Sequence, residues 1–168
     1  KAKPILSIII PSYNVSRFVL KTIKSLVINN KNANKIEILV VNDGSKDDTA
    51  TVVADFIKKY SSGEKSIVKL IDKENGGHGS TINVGICKAT GKYLRIIDGD
   101  DWVDTEQFEK LIDILENEDS DIVVTNYSED LYVGRTVKLN KVNLYDSMLP
   151  GFKYDFDDLC YDGYGFGN

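Results

Sequence analysis

Short apolar runs recur along this chain, and each of the first four is closed by a polar or glycine-bearing turn. That alternation constrains the fold more than any other feature. Residues 6–10 form a continuous apolar run ending at Pro11, which reads as a strand buried on both faces. Val15, Phe18, Val19, Ile23, Leu26 and Val27 then follow at helical spacing. Residues 36–41 repeat the strand pattern and stop at Asn42-Asp43-Gly44-Ser45, where turn chemistry takes over. Ser45 with Asp48 three residues on resembles a helix start, and Val52, Val53, Phe56 and Ile57 supply the apolar face.

The pattern continues. Residues 66–71 predict a third strand, followed by Gly76-Gly77-His78-Gly79 and a short helix running to about Ala89, with Gly91 to close it. Residues 93–97 predict a fourth strand ending on Asp98-Gly99-Asp100-Asp101. A helix is expected over 105–117, with Phe108, Leu111, Ile112 and Leu115 on one side, then a fifth strand over 121–125. Beyond Tyr127 the period is lost, and residues 150–168 show no clear element. Strands alternating with helices imply an α/β sandwich with a mostly parallel sheet. The regular core is expected over residues 1–127, and residues 128–168 read as the start of a further region.

In open α/β sheets, ligands bind beyond the carboxyl ends of the strands. The unusual residues of this chain collect there. Pro11, Tyr13 and Asn14 follow the first strand, Asp43 the second, Asn75, Gly76 and Gly77 the third, and Asp98, Gly99 and Asp100 the fourth. Four successive turns delivered to one rim are the main argument for a binding site.

The acidic turn admits two readings. Carboxylates at i and i+2 around a glycine can converge on an oxygen-seeking cation such as Mg²⁺ or Mn²⁺, which could bridge to a diphosphate. Alternatively the turn is a solvated acidic loop in which Asp101 or Asp104 caps the next helix. Tyr13 can stack on a base, and Asp43 can accept a hydrogen bond from a ring N–H. Each is also an ordinary rim tyrosine or turn aspartate. The glycine loop permits close backbone approach to a ligand, or is simply a flexible turn. His78, the single histidine, reads as a bystander.

Charge narrows the classes. Lys and Arg total 21 against 26 Asp and Glu, a net charge of -5, which argues against a nucleic-acid binder. An acidic protein holding a phosphorylated ligand needs local help from backbone N–H groups or a cation. Cys87 and Cys160 match no metal spacing and read as free thiols of a reducing compartment. No apolar run reaches the roughly 18 residues of a membrane span, and no signal peptide opens the chain. The expectation is a cytoplasmic protein, with peripheral membrane association only through segments outside this chain. Because the first residue is lysine, the natural start is expected to lie upstream.

Taken together, Ile8-Ile9-Ile10-Pro11-Ser12-Tyr13-Asn14, Val40-Val41-Asn42-Asp43-Gly44-Ser45, Asn75-Gly76-Gly77 with Asn83 and Gly85, and Ile97-Asp98-Gly99-Asp100-Asp101-Trp102 resemble glycosyltransferase family 2. The resemblance spans roughly residues 5–127. It implies a Rossmann-like GT-A sandwich and sugar transfer, with inversion, from a nucleotide diphosphate donor to an acceptor hydroxyl, in the setting of cell-surface polysaccharide synthesis. By the same resemblance Tyr13 and Asp43 hold the uracil of a UDP-sugar, with Pro11, Asn14, Asn75, Gly77 and Gly99 lining the nucleotide. Asp98 reaches the ribose, and Asp100, with Asp98, faces the divalent metal. The acceptor is a carbohydrate or a lipid-linked sugar.

Two positions depart from the family pattern. Ile82 stands where Arg or Lys is frequent, and Gly79 where serine is common, with Ser80 adjacent. A carboxylate base is implied but not located. Asp155, Asp157, Asp158 and Asp162 are candidates in a Gly- and Tyr-rich stretch without the support a catalytic group requires, so the chain is expected to bind donor without transferring sugar. Other classes lack their marks. A haloacid-dehalogenase phosphatase needs an Asp-x-Asp pair directly after the first strand. A nicotinamide enzyme needs Gly-x-Gly-x-x-Gly, and a P-loop needs Gly-Lys-Ser/Thr. The alternative from a non-enzyme class is a nucleotide-binding module without turnover.

Overall fold

The computed structural model describes residues 3–60, 66–133, 136–142 and 151–153. The chain divides into two units, Lys1–Glu118 and Asp119–Asn168. The first contains β1 (Leu6–Ser12), α1 (Val19–Val27), β2 (Ile36–Asp43), α2 (Thr49–Tyr60), β3 (Val68–Lys73), α3 (His78–Lys88), β4 (Tyr93–Ile96) and α4 (Thr105–Asn117).

The strands form a parallel sheet in the order β3-β2-β1-β4. The chain builds outward from β1 through β2 to β3, then returns to place β4 on the other side of β1. The topological switch point therefore lies between β1 and β4, where such sheets open a crevice beyond their carboxyl ends. β1 and β2 are buried along their whole length, which explains their largely apolar runs, and the Ser7 and Glu37 within them are buried and hydrogen-bonded to each other. Ile8, Ile9, Ile10, Ile38, Val40 and Val41 form the centre of the core. Each contributes roughly 1.5–3 kcal/mol by leaving water. Val19, Ile23 and Leu26 from α1 and Phe108, Ile112 and Leu115 from α4 are also buried.

Register aligns the turns. Ser12 pairs with Asn42, and Asn42 pairs with Asp72, so β1, β2 and β3 deliver their last residues side by side.

Several local expectations are corrected. Pro11 lies inside β1 rather than closing it. α1 begins at Val19, because Val15 is held in the preceding turn by its N–H bond to Thr49 Oγ1 at 2.9 Å. α2 begins at Thr49, where Asp47 Oδ1 accepts from the Thr49 N–H at 3.0 Å, so Asp47 rather than Ser45 organises that end. Gly91 does not close α3: the helix ends at Ala89 in extended backbone. A Cβ at Gly91 would lie 2.6 Å from the Ser7 nitrogen, so its role is close packing against β1. The helix expected over 105–117 is α4, and Asp104 caps it by accepting from Gln107 N at 3.0 Å.

The fifth strand expected over 121–125 is absent. Residues 122–126 carry no regular structure, and Ile122 and Val124 are exposed. In the second unit, β5 (Tyr127–Val133) and β6 (Thr136–Val142) instead pair antiparallel, with Tyr127 opposite Val142 and Val133 opposite Thr136.

Candidate functional site: the carboxyl-end rim

Turns from β1 and β2 are stitched together. Asn14 adopts a positive φ of 54°, a conformation asparagine tolerates better than most residues. Its N–H donates to Ser45 Oγ at 3.0 Å, and its Oδ1 accepts from Lys46 N at 2.7 Å. Ser45 Oγ in turn donates to Asn42 Oδ1 at 2.5 Å. Asn14 therefore fixes the rim, while its neighbour Tyr13 stands half exposed.

Asp43 is the centre of the next layer. Its side chain is buried, and both oxygens are engaged. Oδ1 accepts from the Lys73 ammonium and from Gly76 N at 2.9 Å, and Oδ2 accepts from Gly77 N at 2.8 Å. Burial would raise this carboxyl, but the Lys73 ammonium and the Gly76 and Gly77 N–H groups outweigh it and hold it below the ordinary carboxylate range. Asn75 Nδ2 donates to the Asp43 carbonyl at 3.0 Å. A Cβ at Gly44, whose φ is +67°, would sit 3.0 Å from Asn75 N. Gly77, at φ +84°, opens α3 with nothing within 4 Å of a would-be Cβ. Asp43, Asn75 and Gly77 are thus one hydrogen-bonded assembly.

The acidic turn is seated by Gly99. A Cβ there would lie 3.1 Å from the Pro11 carbonyl oxygen and 3.2 Å from Ser12 Oγ, and the Gly99 carbonyl accepts from Thr22 Oγ1 at 3.0 Å. The turn closes through Asp101 N to the Asp98 carbonyl at 3.0 Å. Asp98, Asp100 and Asp101 are exposed. Partial burial, then the neighbouring Asp100 and Asp98 charges, push the Asp101 carboxyl up. His78 Nε2 approaches Asp98 Oδ1 to 3.7 Å, so the glycine loop and the acidic turn meet.

Among the described residues no three His, Cys, Asp or Glu side chains converge into a ready-made metal cage. The donor set nevertheless fits a hard cation. Exposed carboxylates crowded on one turn repel one another, and Mg²⁺ or Mn²⁺ commonly takes only one or two protein carboxylates, completing its shell from water and phosphate. Asp100 and Asp98 are the residues that would hold it.

Sequence reasoning missed Lys73, whose ammonium also donates to the Glu74 carbonyl at 2.6 Å. A lysine at the end of a half-exposed strand carries no sequence signal of its own. Only the parallel register opposite Asp43 reveals it. Lys21 was also missed. Its ammonium lies 2.9 Å from the ring centroid of Trp102, directly after the acidic turn. The candidate bases Asp155, Asp157, Asp158 and Asp162, and Cys160, lie outside the described residues; Cys87 is exposed. No helix among the described residues is long and apolar enough to cross a membrane.

Comparison with known proteins identifies the family and the fold. The uncharacterized glycosyltransferase EpsJ of Bacillus subtilis is 33% identical over 156 residues, covering 90% of this chain and 43% of that protein. The uncharacterized glycosyltransferase RP339 of Rickettsia prowazekii is 39% identical over 122 residues, 72% of this chain and 35% of that protein. The chain spans less than half the length of these relatives. Among solved structures, S. aureus TarS 1-349 in complex with UDP-GlcNAc superposes with a TM-score of 0.55 at 26% identity, over 66% of this chain and 31% of that one. Mannosyltransferase PcManGT from Pyrobaculum calidifontis, in complex with GDP-Man and Mn²⁺, shares the fold at a TM-score of 0.52 and 21% identity, over 68% of this chain and 33% of that one. The family model for glycosyl transferase family 2 matches residues 7–164, and this chain, an α/β sandwich with the GT-A-like arrangement, belongs to that family.

Proposed function

We propose that this chain supplies the donor site of an enzyme that transfers a sugar, with inversion, from UDP to an acceptor hydroxyl. Residues 1–127 are the nucleotide-sugar core, and 128–168 begin the acceptor side, where a carbohydrate or lipid-linked sugar would dock. The observation that carries the reading is the ionised, buried Asp43 at the carboxyl end of β2, bound by the Gly76 and Gly77 N–H groups on the rim of the sheet. The UDP-GlcNAc and UDP complexes of TarS support uridine as the nucleotide.

In this reading Tyr13 stacks on the base and Asp43 accepts its ring N–H. Asp98 meets the ribose, and Asp100, with Asp98, would hold Mg²⁺ or Mn²⁺. The bound cation would neutralise charge on the diphosphate leaving group. Pro11, Asn14, Asn75, Gly77 and Gly99 act through backbone and shape. Transfer also needs a positioned carboxylate to take the acceptor proton, and we place that base outside this chain.

The test supplies UDP-glucose, UDP-galactose and their N-acetyl forms with Mn²⁺ and a panel of acceptor sugars. Donor binding without glycosylated acceptor is the expected result. Acceptor glycosylation well above background would overturn the donor-only assignment and direct attention to Asp155, Asp157, Asp158 and Asp162. A UDP-sugar that does not bind at all would remove the donor site itself.

A further inference from the structure

Beside Asp43 the rim holds a second withdrawn charge of opposite hydrogen-bonding character. The Lys73 and Asp43 side chains are 17% and 4% exposed. An ionised carboxylate offers about four lone-pair sites, and three are filled, by Lys73, Gly76 N and Gly77 N. One acceptor site remains, on Oδ2. An ammonium carries about three N–H donors, and Lys73 engages the Asp43 carboxylate and the Glu74 carbonyl. One donor remains. The second face of the clamp is fixed: a Cβ at Gly76 would lie 3.1 Å from Lys73 Nζ and 2.9 Å from Ser80 Oγ, so the loop closes tightly over the ammonium.

A leftover acceptor beside a leftover donor complements a ring edge on which an N–H is flanked by a carbonyl. Uracil presents that edge. On the C4 side of that nitrogen cytosine presents the reverse, an unprotonated ring nitrogen beside an amine, which would set a lone pair against a buried carboxylate and an N–H against an ammonium. We propose that Lys73 is a specificity-determining residue that donates to the C4 carbonyl of the base whose ring N–H Asp43 accepts, so that the site takes uridine and rejects cytidine diphosphates. This rests on the reading of Asp43 as the base acceptor.

The experiment is calorimetric titration of the chain with UDP and with CDP at fixed Mn²⁺, for the wild type, Lys73→Met, Lys73→Gln and Lys73→Arg. Wild type should favour UDP about 100-fold or more, since a charged hydrogen bond adds about 1.5–3 kcal/mol and a mispaired buried group subtracts a similar amount. Lys73→Met and Lys73→Gln should each lower the UDP-to-CDP ratio about 10-fold from its wild-type value, the remainder coming from Asp43, and Lys73→Arg should keep most of it. Weaker binding of both nucleotides at an unchanged ratio would overturn the proposal and leave Lys73 as a support for Asp43. Should the methionine variant fail to fold by circular dichroism, the glutamine variant decides by the same ratio. A wild type that binds neither nucleotide would fell the uridine reading itself, an outcome distinct from a wild type that binds UDP with Lys73 irrelevant.

Discussion

Gly85 of α3 lies against Ile9 of β1 so closely that a Cβ at position 85 would stand 2.5 Å from Ile9 Cγ2. Gly79, one helical face away, has nothing within 4 Å. The two glycines of the same helix therefore predict opposite outcomes. Gly85→Ala should destabilise the fold by roughly 1–3 kcal/mol through overpacking a core with no slack. Gly79→Ala should be neutral or stabilise by up to about 1 kcal/mol, because alanine loses less backbone entropy in a helix. Urea midpoints of the two variants against wild type check this pair.

Glu37 should govern the acid limit of stability. It is buried in β2, where Oε1 accepts from Ser7 Oγ at 2.7 Å and from Thr90 N at 2.6 Å, and Lys69 pairs with Oε2 at 3.1 Å. Burial alone would raise its carboxyl, but the Ser7, Thr90 and Lys69 donors bring it down from 4.5 to about 2. The folded carboxylate thus holds its proton less tightly than the unfolded one. Its contribution is complete above pH 4.5 and is lost as the pH falls through about 2. On this basis Glu37 adds roughly 3 kcal/mol at neutral pH. Glu37→Gln should lower the unfolding free energy at pH 7 and flatten its fall between pH 5 and 2. A variant with the wild-type acid limb would show that other carboxylates set it.

How much of this was legible in the sequence depended on whether a residue's partner is local. β1 and β2 were readable because burial on both faces favours mostly apolar runs, and α4 because its apolar spacing and Asp104 cap are both local signals. The four rim turns were legible for the same reason. The hairpin β5–β6 was not, since Glu129 and Asp130 interrupt any apolar run and its stability comes from a cross-strand ladder. Lys73 and the clamp on Asp43 were hidden because the contact spans β2 and β3.

Asp100 should matter only when a divalent cation is present. Asp100→Asn keeps the size of the side chain and removes its charge. It should abolish the gain in UDP affinity on adding Mn²⁺ while leaving weak metal-free binding, measured by titration with and without the ion. An equal Mn²⁺ gain in the variant would make the acidic turn a solvated loop.

The central claim is that Asp43 binds the nucleotide. The clamp adds a consequence, because Asp43→Ala also releases the Gly76 and Gly77 N–H groups and should lower stability by about 1–3 kcal/mol without unfolding the sheet. The decisive measurement is calorimetric titration of folded Asp43→Ala and wild type with UDP in Mn²⁺. A lost hydrogen bond to a charged acceptor is worth about 1.5–3 kcal/mol, so affinity should fall roughly 10- to 100-fold. Equal UDP affinity in the two proteins would contradict the account and leave Asp43 as a loop anchor alone.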